Sequence, residues 1–124
     1  MATSTTARRS GQILAVVRLV NGTLGLLAPQ VLLRRLTTDE QAARAGMYPF
    51  RMFGIRTILL GIELLAVDDA SRRKVTRLAV LIHASDTVSA VVSGIRGDLP
   101  KRAAITTALI SSGNTTLAIL AARD

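Results

Sequence analysis

Six ionisable or strongly polar side chains lie inside long apolar stretches of this sequence, where a charged group needs a partner. They are Arg18, Arg56, Glu63, His83, Asp86 and Asn114. Histidine and carboxylate groups in such surroundings can relay protons or bind an ion or a polar headgroup. The same groups can instead form a buried ionic network that only fixes the register of helices. The sequence leaves both interpretations open.

Four of these side chains carry formal charges, and the cost of burying them predicts that they pair. At roughly 2.5–3.5 kcal/mol for each unpaired charge in a bilayer centre, they would offset most of a stability of order 5–15 kcal/mol. The two arginines and two carboxylates sum to zero, so we expect Asp86 to contact one arginine and Glu63 the other. His83 lies three residues from Asp86, faces it on a helix, and should complete the hydrogen bonds with Asn114.

No catalytic motif accompanies this set of residues. The sequence has no G-x-S-x-G elbow, no phosphate-binding P-loop and no H-E-x-x-H pattern. His83 is the only histidine and there is no cysteine, so a metal would lack its usual ligands. We therefore expect no enzymatic activity, no cofactor and no metal.

Four apolar stretches of suitable length are predicted to cross a membrane as helices. They span about residues 11–28, 47–67, 75–95 and 102–122. Each can cross roughly 30 Å of hydrocarbon at about 1.5 Å per residue. The expected fold is therefore all-α: a four-helix antiparallel transmembrane bundle formed by a single domain of residues 10–124.

Two segments are expected to lie outside these spans. Residues 1–9 are polar and small and predict a disordered tail, with Ser10 as the cap of the first helix. A capping-box pattern that starts at Thr38 predicts a short polar helix over residues 38–45, which Gly46 would end.

Composition favours a membrane protein over a soluble one. Hydrophobic residues make up 49% of the 124 residues but aromatic residues only 2%, too few for an ordinary soluble core. The three aromatics, Tyr48, Phe50 and Phe53, gather at the start of the second span, where an interfacial belt would lie, and the alternative is ordinary core packing. The net charge of +8 is distributed over short basic clusters between the apolar stretches. That distribution indicates topology signals and lipid headgroup contacts rather than a nucleic-acid groove.

The sequence resembles a known group of proteins in three places. Arg18 is followed by glycines and a proline, residues 51–61 read R-M-F-G-I-R-T-I-L-L-G, and residues 83–86 read H-A-S-D. This pattern resembles small four-helix bacterial membrane proteins of the DoxX-like group, which are common in actinobacteria. The resemblance implies the four-helix fold, a bacterial inner (plasma) membrane location and the importance of Arg56 and Asp86. It implies no reaction.

Three functions are compatible with these observations. The first is a non-enzymatic membrane protein, either an accessory subunit or a binder of lipid or of a small apolar ligand, in contact with membrane lipids. The Gly- and Ser-rich helix surfaces would also suit a homo-oligomer or a membrane-protein partner. The second is a small proton-coupled transporter or channel that uses Glu63, His83 and Asp86, with Arg56 as counter-charge. The third, a soluble basic bundle that binds nucleic acid, predicts partition into the aqueous fraction.

Overall fold

The computed structural model describes residues 4–123, and within this range the chain is all-α, as expected. It contains five helices and no strand. The helices are α1 (Thr5–Leu27), α2 (Pro29–Leu36), α3 (Glu40–Ala66), α4 (Asp69–Arg96) and α5 (Lys101–Ala121). Four of them coincide with the four predicted spans, and α2 is a separate short helix between the first two.

The first helix begins earlier than the sequence predicted. Ser4 is its N-cap and accepts a hydrogen bond from the backbone N–H of Ala7 at 3.1 Å. Ser10, the expected cap, is buried inside the helix. The predicted tail is therefore wrong from Thr5 onward, because Ala7 is only 1% exposed and its packing extends the helix. Residues 1–3 of that tail lie outside the described range.

The predicted separate helix over residues 38–45 is also wrong. Asp39, rather than Thr38, caps α3, and its carboxylate accepts a hydrogen bond from the backbone N–H of Gln41 at 3.0 Å. The helix then continues through Gly46 and Pro49. Gly46 lies inside α3 and its φ is not positive, so the left-handed C-terminal cap that the sequence predicted does not form there.

Caps define the ends of α4. The carboxylate of Asp68 accepts a hydrogen bond from the backbone N–H of Ser71 at 2.8 Å and so begins the helix. Gly97 ends it in the left-handed region with φ of 81°, a conformation that a side chain disfavours. Pro100 then precedes α5, which has no side-chain cap.

The helices pack as two antiparallel pairs, α1 with α3 and α4 with α5. Glycines allow the first pair to approach closely: a Cβ on Gly54 would lie 2.6 Å from the carbonyl oxygen of Gly22 and 2.7 Å from the carbonyl carbon of Gly25. In the second pair, a Cβ on Gly94 would lie 2.6 Å from the Cβ of Ala104. Small residues therefore fix both pairs, as is common between helices in lipid.

The two pairs share a packed apolar layer at one end. An apolar layer closes the end that holds the first residues of α1 and the last of α5. It consists of Leu14, Ala15, Leu64, Ala79 and Ala118. Taken over their whole length, α1 packs on α5, but α3 and α4 hardly touch, and α2 contacts α1, α3 and α5. The half of the bundle near α2 is consequently open between α3 and α4.

Three helices, α1, α4 and α5, are long and apolar enough to cross a membrane. The apolar part of α3 carries three charges, Arg51, Arg56 and Glu63, and α3 does not meet the same criterion. The outer surface is apolar: 22 large hydrophobic side chains within residues 4–123 are exposed. The accessible surface is 8086 Å², whereas a soluble monomer of this mass exposes roughly 6,400 Å². These features are those of a membrane protein rather than of a soluble monomer.

Candidate functional site

A buried arginine lies directly above the closed apolar layer. Arg18 follows Leu14 by one turn of α1, and the residue is 3% exposed. Its Nε donates a hydrogen bond to Nε2 of His83 at 3.2 Å, and its Nη2 lies 3.0 Å from the same nitrogen. Its Nη1 donates to the carbonyl oxygen of Leu60 at 3.4 Å. Arg18 thus ties α1 to both α3 and α4.

These contacts determine the tautomer of His83. A guanidinium only donates hydrogen bonds, so Nε2 of His83 must accept and the ring proton lies on Nδ1. Nδ1 is 3.8 Å from a carboxylate oxygen of Asp86, which is too long for a hydrogen bond and amounts to a weak polar contact. His83 is buried, whereas the side chain of Asp86 is 54% exposed.

The predicted arginine–carboxylate pairs do not form. Within residues 4–123, no carboxylate oxygen lies within 4.0 Å of Arg18, and the charges of Glu63 and Asp86 act on it only through space. The physical reason is that His83 occupies the guanidinium with one ring nitrogen, while Asp86 faces the other. Instead of the expected ion pairs, the three side chains lie in a row, with the imidazole of His83 between the guanidinium of Arg18 and the carboxylate of Asp86.

Arg56 and Glu63 do not belong to this buried group. Both are exposed, and neither side chain makes a hydrogen bond or ion pair with another residue in the described part of the chain. Gly54 and Gly61 mark the face of α3 that packs on α1. Arg56 and Glu63 each follow one of these glycines by two residues, which on a helix is roughly 200° around the axis. They share a face, as predicted, but it is the face opposite α1.

Above Arg18 the open half of the bundle encloses a cavity of about 560 Å³. Its Arg18 end is rich in hydrogen-bonding groups. In addition to Arg18 and His83, these are Asn21, Thr57, Asp86, Ser111 and Asn114. The end near α2 carries most of the large apolar side chains, together with several hydroxyl groups. The side chains that line it there include Leu32, Leu36, Pro49, Phe50, Phe53 and Leu99, and the polar Arg35, Ser93, Thr106 and Thr107.

The cavity brings together four of the six predicted residues: Arg18, His83, Asp86 and Asn114. Arg56 and Glu63 do not line it. The sequence interpretation missed Asn21, which lies three residues after Arg18 on the same helix face and could have been found by that spacing. Thr57, the residue next to Arg56, is the polar side chain of α3 that reaches the cavity.

The aromatic residues divide between two environments. Tyr48 is 72% exposed, in keeping with the predicted interfacial belt. Phe50 and Phe53 instead line the cavity, and their ring centroids are 6.0 Å apart with the planes tilted by 60°. Phe53 is also 45% exposed, so these two rings combine the interior packing that was the alternative prediction with some exposure on the outer surface.

The chemistry available in the cavity is recognition by hydrogen bonding and charge. Among residues 4–123, no group of three or more His, Cys, Asp or Glu side chains could hold a metal ion. A guanidinium, an imidazole and an asparagine amide can orient the polar end of a molecule, while the aromatic and aliphatic end can take its apolar part.

The resemblance to the DoxX-like group stays a prediction. No protein-family model, curated protein or solved structure matches this chain.

Proposed function

We propose that this chain is a non-enzymatic integral membrane protein that binds a lipid or a small apolar ligand in the cavity above Arg18. The observation that supports it is the cavity itself. Its volume of about 560 Å³ falls within the range of roughly 300–1,000 Å³ that small-molecule sites occupy. Its lining combines many apolar side chains with a buried guanidinium and imidazole at one end, as binding sites for amphipathic molecules do.

The proposed membrane arrangement has four antiparallel spanning helices, so α3 crosses as well as α1, α4 and α5. With 27 residues, α3 exceeds the roughly 20 that a span needs. The guanidinium of Arg51, near the start of the apolar part, can extend to the headgroups. Helix α2 would lie in the interface, with Arg34 and Arg35 toward anionic lipid. The bacterial inner membrane remains an expectation that rests on the resemblance alone.

Membrane extraction tests the first half of the proposal. The protein should stay in the membrane pellet after high-salt and alkaline washing and should enter solution only with detergent. Its 22 exposed large hydrophobic side chains require this behaviour. Recovery of a monomer in the aqueous fraction without detergent would refute membrane integration and favour the soluble nucleic-acid-binding alternative. The mass of the detergent-solubilised protein would also test the predicted homo-oligomer.

Ligand binding tests the second half. N-phenyl-1-naphthylamine, a neutral fluorescent probe of apolar sites, should bind the detergent-solubilised protein with increased emission. Thr107→Phe places an aromatic ring in the cavity lining and should weaken binding about tenfold or more. Thr116→Phe, the same change on an exposed position of α5 outside the cavity, is the matched control and should bind normally. Equal binding by both variants would contradict the cavity as the site.

A second candidate function, proton-coupled transport, is favoured by one observation. The Nδ1 of His83 and the carboxylate of Asp86 are 3.8 Å apart beside the cavity, and small rotations of either side chain would join them. Arg56 and Glu63 lie outside the cavity, so this version of the hypothesis keeps only His83 and Asp86. Reconstituted liposomes should then dissipate a pH gradient, and Asp86→Asn should abolish the flux. An unchanged flux, or none in the original protein, would exclude it.

A further inference from the structure

We infer that Arg18 binds the carboxylate of a single-chain fatty acid, whose hydrocarbon chain occupies the apolar end of the cavity. This inference rests on the proposed function, since it specifies the ligand of the same cavity. Arg18 is a cation that is only 3% exposed, and within residues 4–123 no carboxylate contacts it. Such a charge is costly to bury unless an anion compensates it.

The guanidinium also has unused hydrogen-bonding capacity. It carries five N–H donors, and its contacts are to only two acceptors, Nε2 of His83 and the carbonyl oxygen of Leu60. Both acceptors are neutral. A carboxylate accepts two parallel N–H bonds from an arginine and is negatively charged, so it supplies both the missing acceptor and the missing charge.

The size of the cavity selects a single chain. At roughly 30 Å³ for each water-sized group, about 560 Å³ holds about 19 such groups. A saturated acid of about 12–16 carbons fits that count at one group per heavy atom. A phospholipid would have to leave its second acyl chain outside the cavity, so a single-chain carboxylic acid is the ligand that this volume fits best.

The position of the buried charge sets the direction of the chain. Arg18 and His83 lie deep in the bundle next to the closed apolar layer, while Leu32, Phe50 and Phe53 line the opposite end near α2 beside neutral hydroxyl groups such as that of Thr107. The carboxylate would therefore lie deep in the bundle, and the chain would extend toward α2. Because α3 and α4 hardly touch in this half, the opening between them gives a hydrocarbon chain a direct route from the bilayer.

Asp86 limits the affinity of the site. Its carboxylate also lines the cavity and carries the same charge as the ligand. It lies against Nδ1 of His83, on the ring edge away from Arg18, so it does not occupy the guanidinium. Removing its charge in Asp86→Asn should strengthen the binding of a carboxylate and leave the binding of a neutral ligand unchanged.

Competition for the fluorescent probe tests the inference. In detergent at pH 8, dodecanoate should displace N-phenyl-1-naphthylamine at a concentration about ten- to a hundredfold lower than dodecanol does, the range expected for hydrogen bonds to a charged group. Arg18→Met should remove this preference while the probe still binds. Arg51→Met, at an exposed arginine outside the cavity, is the matched control and should keep it.

Each result decides the question. Equal competition by dodecanoate and dodecanol in the original protein, or a preference that survives in Arg18→Met, would overturn the carboxylate site and leave the apolar-ligand proposal standing. Failure of the neutral probe to bind would instead refute the proposed function, and the carboxylate site with it. If Arg18→Met does not fold, the comparison of the two competitors in the original protein and in Asp86→Asn still gives the answer.

Discussion

Gly54 is the residue at which a single added methyl group should disturb the structure most clearly. It lies where α3 crosses α1, and the atoms around a Cβ at this position belong to the backbone of α1, including the amide nitrogen of Leu26. The carbonyl oxygen of Gly22 would be 2.6 Å from that Cβ and the carbonyl carbon of Gly25 2.7 Å. Backbone atoms cannot rotate away as a side chain can, so α1 and α3 must separate.

The size of the effect follows from these distances. Ordinary contact begins at 3.4 Å, so these two atoms alone require Gly54→Ala to move the helices apart by about 0.7–0.8 Å, and the closer amide nitrogen of Leu26 requires more. A gap of this size loses about a quarter to a half of the dispersion energy of each contact along the seam. Overpacking costs about 1–3 kcal/mol, and alanine in a helix recovers about 0.5–1 kcal/mol relative to glycine. We expect a net loss of about 2 kcal/mol, toward the upper end because the opposing atoms are backbone.

Unfolding in mixed micelles measures this change. Far-ultraviolet circular dichroism, followed as sodium dodecyl sulfate is added to the protein in a mild detergent, gives the free energy of unfolding for each variant. Gly113→Ala is the matched control, because nothing lies within 4 Å of a Cβ at that helical position. It should stabilise the protein by about 0.5–1 kcal/mol. If Gly54→Ala were as stable as Gly113→Ala, the close contact of α1 and α3 would be refuted.

Three further changes are predicted. Hydrogen bonds from Ser71 hold the pKa of the exposed Asp68 carboxyl below its usual value. The carboxylate therefore contributes fully to stability at a pH above the usual pKa, and this contribution is lost as the pH falls through the lowered pKa. Asp68→Ala should flatten the acid limb of a stability–pH profile. Gly97→Ala puts a side chain at φ of 81° and should cost about 1–2 kcal/mol in the same unfolding assay, whereas equal stability would contradict this helix end. His83→Leu leaves two N–H groups of Arg18 without their acceptor and should cost about 1–3 kcal/mol, which a variant as stable as the original would disprove.

The helical fold was accessible from the sequence because its signals are local. Apolar length predicted where the four long helices lie, and the structure has helices at all four places. The errors occurred at helix starts, where several cap residues stand close together and tertiary contacts choose among them. Ser4 rather than Ser10 caps α1, and Asp39 rather than Thr38 caps α3, so these helices begin at Thr5 and Glu40.

The candidate site was only partly accessible because it depends on how each helix is rotated. Position within the apolar stretches identified Arg18 and His83, which are hydrogen-bonded to each other. It failed for Arg56, since depth along α3 says nothing about which face of α3 points inward. The two glycines at positions 54 and 61 carry that information, because close helix contact needs them on the α1 side. The partner of Arg18 was also misassigned, because charge balance alone cannot choose an imidazole over a carboxylate.

The apolar layer that joins the two helix pairs at one end has a mechanical consequence. Each pair is locked internally by small residues, whereas the layer around Leu14 and Ala118 is the main apolar connection between the pairs at their closed end. A small tilt of one pair about this layer would change the gap between α3 and α4 most at the end farthest from the layer, near α2. Such a tilt would change the width of the cavity without repacking either pair. Lateral pressure from the surrounding lipid would act directly on that gap.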